Sequence, residues 1–174
     1  MTTVRELIDQ NAASQPDKAF LIAPESGTQM TYAQLRDHAH EITAALDALG
    51  IAKGEKVAFL LPNGYWTTAL LLGVMYSGRV IVPLNAVSGD AALSYVIEHS
   101  DTRAILVNEE LANKFSGVLA QVPGGILSIA TDVDQGVQWP VSGNEQPDLS
   151  ALATDDDAIL MYTCLLYTSD AADE

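Results

Sequence analysis

Three histidines, one cysteine and a run of three aspartates are the side chains of this 174-residue chain with the most obvious chemistry. They would serve acid–base, nucleophilic or metal-binding roles. Their spacing argues against each. His38 and His40 fall two apart on a stretch with helical periodicity, so the rings do not share a face and make poor metal partners. Both are read as surface residues. His99 closes a second helical stretch, where a partly positive imidazole suits the C-terminal end. Asp155, Asp156 and Asp157 fit a solvated turn better than a metal site. Cys164 stands alone, so it makes no internal disulfide, and no His/Cys spacing matches a zinc site. Pro62-Asn63 and Pro83-Leu84-Asn85 each end an apolar run. The carboxyl end of a strand in an open α/β sheet can face a ligand crevice. Asn63 and Asn85 can instead cap the turns that follow, which is the reading preferred here. Trp66 and Trp139 read as packing groups.

These residues are carried by a regular alternation of elements. Val4, Leu7, Ile8 and Ala12 recur at helical spacing over residues 3–14, and Pro16 follows. Residues 19–23 predict a strand, residues 24–29 a turn, and the region of Met30 a return strand. Thr31 predicts a helix N-cap, and Gln34 three residues later completes a capping box. Leu35, Ala39, Ile42, Ala45, Leu46 and Leu49 form that helix's apolar stripe, and Gly50 ends it. Beyond it the spacing predicts a strand at 57–61, a helix opened by Asn63 and running over 65–77, and a strand at 80–83. A helix at 89–99, a strand at 104–107, a single helix at 109–122 and a strand at 126–130 follow. Such alternation predicts an α/β fold, a mostly parallel sheet flanked by helices. Residues 132–157 read as a surface loop with a small irregular element around 137–140. Residues 158–162 (AILMY) predict one more strand.

Composition narrows the function classes. Hydrophobic residues make up 48%, enough for a sizeable core, and the formal net charge is -15. No Lys/Arg cluster exists to neutralise phosphates, so a general nucleic-acid binder is excluded. The N-terminus MTTVRELIDQN lacks the basic start and apolar run of a secretory signal. The most apolar stretch, residues 67–84, is interrupted by Gly73, Ser77, Gly78 and Arg79 and predicts no membrane span. The cytoplasm is the expected compartment.

In a nucleotide-binding α/β protein, a strand like 158–162 leads into a glycine-rich loop whose backbone N–H groups hold phosphates. Here the chain continues CLLYTSDAADE, with no glycine or lysine after Thr163. Residues 164–174 resemble the translation of a transposase adapter used in sequencing-library preparation. They are expected to be a non-native, adapter-derived tail and are set aside from fold reasoning. With them go Asp170, Asp173, Glu174 and the only cysteine.

The remainder resembles the N-terminal part of the adenylate-forming (AMP-binding) enzymes, which include acyl- and aryl-CoA synthetases, adenylation domains and luciferases. The resembling segments occur in order: PDKAFLI at 16–22, MTYAQL at 30–35, ALDALGIAKGEKVAFLLPN at 45–63, GVMYSGRVIVPLN at 73–85, AALSYVIEHSDTRAILV at 91–107 and DDDAILMYT at 155–163. The resemblance implies that residues 1–163 are an incomplete AMP-binding N-terminal domain. The family's phosphate motif reads roughly Tyr-Thr-Ser-Gly-Thr-Thr-Gly and then Pro-Lys-Gly. Tyr162 and Thr163 match its first two positions, and Cys164 stands where the serine would be. The implied parent is an ATP-dependent carboxylic acid:CoA ligase of the acyl-CoA synthetase type. It joins a carboxylate to AMP, releasing pyrophosphate, and then passes the acyl group to a thiol. ATP, Mg²⁺ and coenzyme A are the implied cofactors, and a small carboxylic acid is the implied partner. Thr163 is the one implied cofactor-binding residue; the resemblance places no catalytic or metal-binding residue in this chain, which is expected to be inactive by itself. An adenylation domain that loads a carrier protein, and a non-catalytic α/β binding domain, are the alternatives. Strands such as 57–61 are expected to lose neighbours in so short a chain and to leave apolar faces exposed.

Overall fold

A computed structural model of the chain describes residues 2–24, 27–122, 124–141 and 146–162; Thr163 and residues 164–174 lie outside them. Helix α1 (Val4–Ser14) starts at a capping box in which Thr3 Oγ1 accepts from the Glu6 N–H while Glu6 Oε2 accepts from the Thr3 N–H. Its inner face differs from the predicted stripe. Ile8 and Ala12 are buried, but Leu7 is 49% exposed and Arg5 is buried instead. The reason is that Arg5 finds acceptors there. Its Nε donates to the Tyr76 carbonyl at 2.9 Å and Nη1 to the Ser150 carbonyl at 2.8 Å, so its apolar stem can pack.

Strands β1 (Ala19–Ile22) and β2 (Gln29–Thr31) form an antiparallel hairpin. It leads into α2 (Tyr32–Ala48), whose predicted box is present: Gln34 N–H donates to Thr31 Oγ1 at 3.3 Å, and Thr31 N–H to Gln34 Oε1 at 2.9 Å. Leu35, Ala39, Ile42, Ala45 and Leu46 are buried, and Leu49 packs against the same core. Gly50 follows at φ 70°, a left-handed position that suits glycine.

The chain then lays down β3 (Lys56–Leu60), α3 (Tyr65–Tyr76), β4 (Val80–Pro83), α4 (Asp90–His99) and β5 (Thr102–Val107). After these come α5 (Glu109–Lys114), α6 (Ser116–Leu119), β6 (Leu127–Asp132) and β7 (Gly136–Val137). The sheet order is β4-β3-β5-β6-β7. All pairings are parallel except the last, as an α/β alternation requires. Strand side chains alternate faces, and both faces are covered. Val57, Phe59, Ala104 and Leu106 join Ile42 and Leu46 of α2 and Leu70 and Val74 of α3 in one cluster. Ala58, Leu60, Ile105 and Val107 join Leu93 and Ile97 of α4, with Phe115 and Val118, in the other. Each fully buried Leu or Ile of these clusters contributes about 1.5–3 kcal/mol.

Four expectations are corrected. First, β3 does not lose its neighbours: it sits between β4 and β5 with Val57 to Leu60 buried, because the crossovers on each side of it are complete. Second, the single helix expected at 109–122 breaks at Phe115 (φ -105°, ψ 24°), where Ser116-Gly117, poor helix formers, follow. Third, α3 opens at Gly64 with no side-chain cap rather than at Asn63. Fourth, residues 158–162 make one parallel bridge, Ile159 to Ile81, in place of a full strand. Ile81 N–H donates to the Ala158 carbonyl at 3.0 Å and Leu160 N–H to the Ile81 carbonyl at 2.8 Å. Leu160 and Tyr162 pack on the α4 side, while Ile159 and Met161 are exposed. Within the expected loop, Asp132 Oδ1 accepts from the N–H groups of Asp134 and Gln135, a turn that folds β7 back onto β6. Backbone donors to this carboxylate hold the Asp132 pKa below the usual range.

Candidate functional site

Because residues 158–160 run parallel to β4, the chain approaches Thr163 in the direction of the carboxyl ends of β3, β4 and β5. Three asparagines follow those ends. Asn85 Oδ1 accepts from the Val87 N–H at 3.0 Å, and its carbonyl accepts the Ser88 hydroxyl at 2.7 Å, so it caps its own turn. Asn108 caps α5 by accepting from the Leu111 N–H at 3.1 Å. Asn63 is exposed. Thr163, the residue expected to meet ATP, lies outside the described residues.

Tyr162 is the last described residue before it, and it is held from the side. Its hydroxyl and His99 Nδ1 share a hydrogen bond at 2.8 Å. The Tyr95 ring stacks on His99, with centroids 5.2 Å apart and planes at 23°. Tyr162 meets both rings edge-on, at 5.7 Å from His99 and 6.3 Å from Tyr95. Burial first, and then Tyr95 and Asp101, push the Tyr162 pKa up. Sequence spacing missed this cluster; the position of His99 at a helix end was its only trace.

The other histidines are not simple surface residues. His40 Nε2 and the Tyr76 hydroxyl lie 2.9 Å apart, and that hydroxyl donates to Asp9 Oδ1 at 2.8 Å. His38 sits 3.2 Å from the Tyr65 hydroxyl, and its ring packs 4.5 Å from Trp66. Both are pulled inward because α2 packs closely on α3, where the tyrosines reside. Trp66 and Trp139 pack as expected, Trp139 against the α2–α3 side of the sheet. Asp155, Asp156 and Asp157 are exposed, and Asp156 Oδ2 accepts from the Ala153 N–H in a turn.

A cavity of about 720 Å³ opens at the carboxyl ends of β5 and β6, lined in part by Glu109, Glu110, Asp132 and Asp134. Four carboxylates repel polyphosphate rather than hold it. The nearby Lys114 is turned aside, its Nζ donating to the Ala86 carbonyl and lying over the Phe115 ring. Among the described residues, no group of three His, Cys, Asp or Glu is placed to hold a metal ion. The lining of this cavity therefore does not fit the phosphates of ATP. A second cavity, of about 480 Å³, lies at the opposite end, where Lys53 and Lys56 face Asp156 and Asp157.

The sequence profile of the AMP-binding enzymes matches residues 8–164, most of the chain. This chain belongs to the AMP-binding enzyme family. It is 34% identical over 163 residues to the sulfoacetate–CoA ligase of Cupriavidus necator, a match that covers 92% of this chain and 32% of that protein. It is 26% identical over 160 residues to the nonribosomal peptide synthetase gloA of Glarea lozoyensis, covering 92% of this chain and 2% of that one. The solved Mycobacterium tuberculosis fatty acyl CoA synthetase superposes with a TM-score of 0.77 at 26% identity, covering 92% of this chain and 32% of the other. The chain thus spans about a third of the length of the first ligases it matches. Its parallel sheet and flanking helices are those of the N-terminal part of an AMP-binding enzyme. No helix of the described residues is long and apolar enough to cross a membrane.

Proposed function

We propose that residues 1–163 are the incomplete N-terminal domain of an ATP-dependent carboxylic acid:CoA ligase of the acyl-CoA synthetase type, which works through an acyl-adenylate in the cytoplasm. Residues 164–174 are the adapter-derived tail, and the chain by itself has no ligase activity. In the parent, the Thr163 hydroxyl bonds an ATP phosphate, and Mg²⁺ and coenzyme A serve the reaction with residues beyond this point. The single observation that carries the reading is the family match over residues 8–164, whose end coincides with the residues that resemble the opening of the family's phosphate motif. The parallel approach of residues 158–160 to β4 supports it, since a phosphate loop belongs beyond the carboxyl ends of such a sheet. The match to a nonribosomal peptide synthetase supports, as the alternative, a carrier-protein thiol in place of coenzyme A.

The test is to read the source DNA through codon 163 with locus-specific primers and to express the full frame. The expected frame continues Ser-Gly-Thr-Thr-Gly and Pro-Lys-Gly. The expected protein catalyses acid-dependent exchange of pyrophosphate into ATP and then releases AMP on adding coenzyme A. Exchange without release on coenzyme A points to the carrier-protein reading. A frame that truly reads Cys-Leu-Leu-Tyr and stops removes the ligase assignment.

A further inference from the structure

Residues 158–162 make one sheet bridge, which is little to fix the direction in which a chain leaves. A second restraint comes from α4. His99 and Tyr162, 63 residues apart in sequence, share a hydrogen bond at 2.8 Å. Tyr95, one turn before His99 on the same helix, stacks on the imidazole at the surface. Leu160, two residues before Tyr162 and on the same side, packs with it against the cluster that includes α4. The bridge at Ile159 and the bond at Tyr162 hold the segment at two points, the second of them next to Thr163. With only the bridge, the end of this segment could rotate about Ile159; with both, its register and its exit are set.

We infer that His99 is a positioning residue: with Tyr95 behind it, it holds Tyr162 and so aligns the segment that delivers Thr163. Its consequence for catalysis rests on the ligase reading above, but the alignment does not. Hydrogen exchange of this chain tests the alignment. In His99→Ala and in Tyr162→Phe, which keeps the ring and removes the hydroxyl, the Leu160 amide, which donates to the Ile81 carbonyl, is expected to exchange about three- to tenfold faster. That is the worth of one neutral hydrogen bond. Amides of β3 keep their rate. His99→Asn, whose side-chain amide can reach the place of Nδ1, restores protection. Unchanged exchange at the Leu160 amide, or equal acceleration in β3, overturns the inference.

In the parent ligase, the same two variants are expected to raise the KM for ATP by about three- to tenfold. The KM for the acid is unchanged, and His99→Asn recovers the lower value. A wild-type parent without pyrophosphate exchange defeats the ligase reading and leaves the amide result standing. A parent with exchange and an unmoved KM for ATP overturns the positioning role.

Discussion

Asp47→Asn tests whether the ion pair under the loop after β7 is a buried one. Arg79, immediately before β4, has a side chain 3% exposed, while that of Asp47 in α2 is 26% exposed. Arg79 Nη2 meets Asp47 Oδ1 at 2.5 Å, Nε donates to the Ile51 carbonyl at 2.9 Å, and Nη1 to the Ser77 carbonyl at 3.1 Å. The second carboxylate oxygen accepts from the Asp148 N–H at 2.7 Å. Removing one partner of a fully buried pair costs about 3–5 kcal/mol, because the other charge is stranded. Here the guanidinium keeps two carbonyls and Asp47 borders solvent, so the expected loss is smaller, about 2 kcal/mol. At about 2–4 °C per kcal/mol for a chain of this size, Tm falls by roughly 4–8 °C. Thermal unfolding by circular dichroism reads it directly. Because the pair is shielded, adding salt should close little of the gap between the variant and the parent sequence. A loss under about 0.5 kcal/mol, the range of an ordinary surface substitution, refutes the reasoning.

Two further outcomes follow from packing and ionisation. Gly73 lies where a Cβ would meet the Ile42 side chain, its Cβ at 3.2 Å and Cδ1 nearer still. Gly73→Ala gains about 1 kcal/mol of helix propensity and loses about 1–3 kcal/mol to overpacking, so a net loss near 1 kcal/mol is expected in urea titration. A stabilised variant would show that α2 and α3 separate freely. Burial, followed by the bond to Asp9, raises the Tyr76 pKa well above its ordinary value near 10. The unfolded chain therefore loses this proton first. The contribution is full below about pH 10 and is lost as pH rises toward the folded value. Tyr76→Phe is expected to flatten the fall in stability between about pH 10 and 12, and an unchanged slope would show that other groups set it.

Much of the architecture was readable because it is local. The Thr31–Gln34 box needs only neighbours three residues apart, and it formed as predicted. The apolar runs at β3, β4 and β5 matched strands to within two residues, since a run buried on both faces needs no partner to be recognised. The ordered family segments were legible for the same reason, being contiguous. The site was read only to its threshold: the resemblance aligns Tyr162 and Thr163 with the opening of the phosphate motif, and Thr163 lies outside the described residues.

What spacing did not reveal depends on partners distant in sequence. Arg5 replaces Leu7 on the inner face of α1 because the carbonyls of Tyr76 and Ser150 await it, 71 and 145 residues away. His40 turns inward to a tyrosine 36 residues on, and His99 bonds one 63 residues on. The sequence by itself determined which residues form helices and strands and which family they belong to, because capping, periodicity and motif order are carried by near neighbours. The tertiary structure decided which polar side chains are buried and what holds the segment before Thr163, because a buried donor takes whatever acceptor the packed chain brings to it.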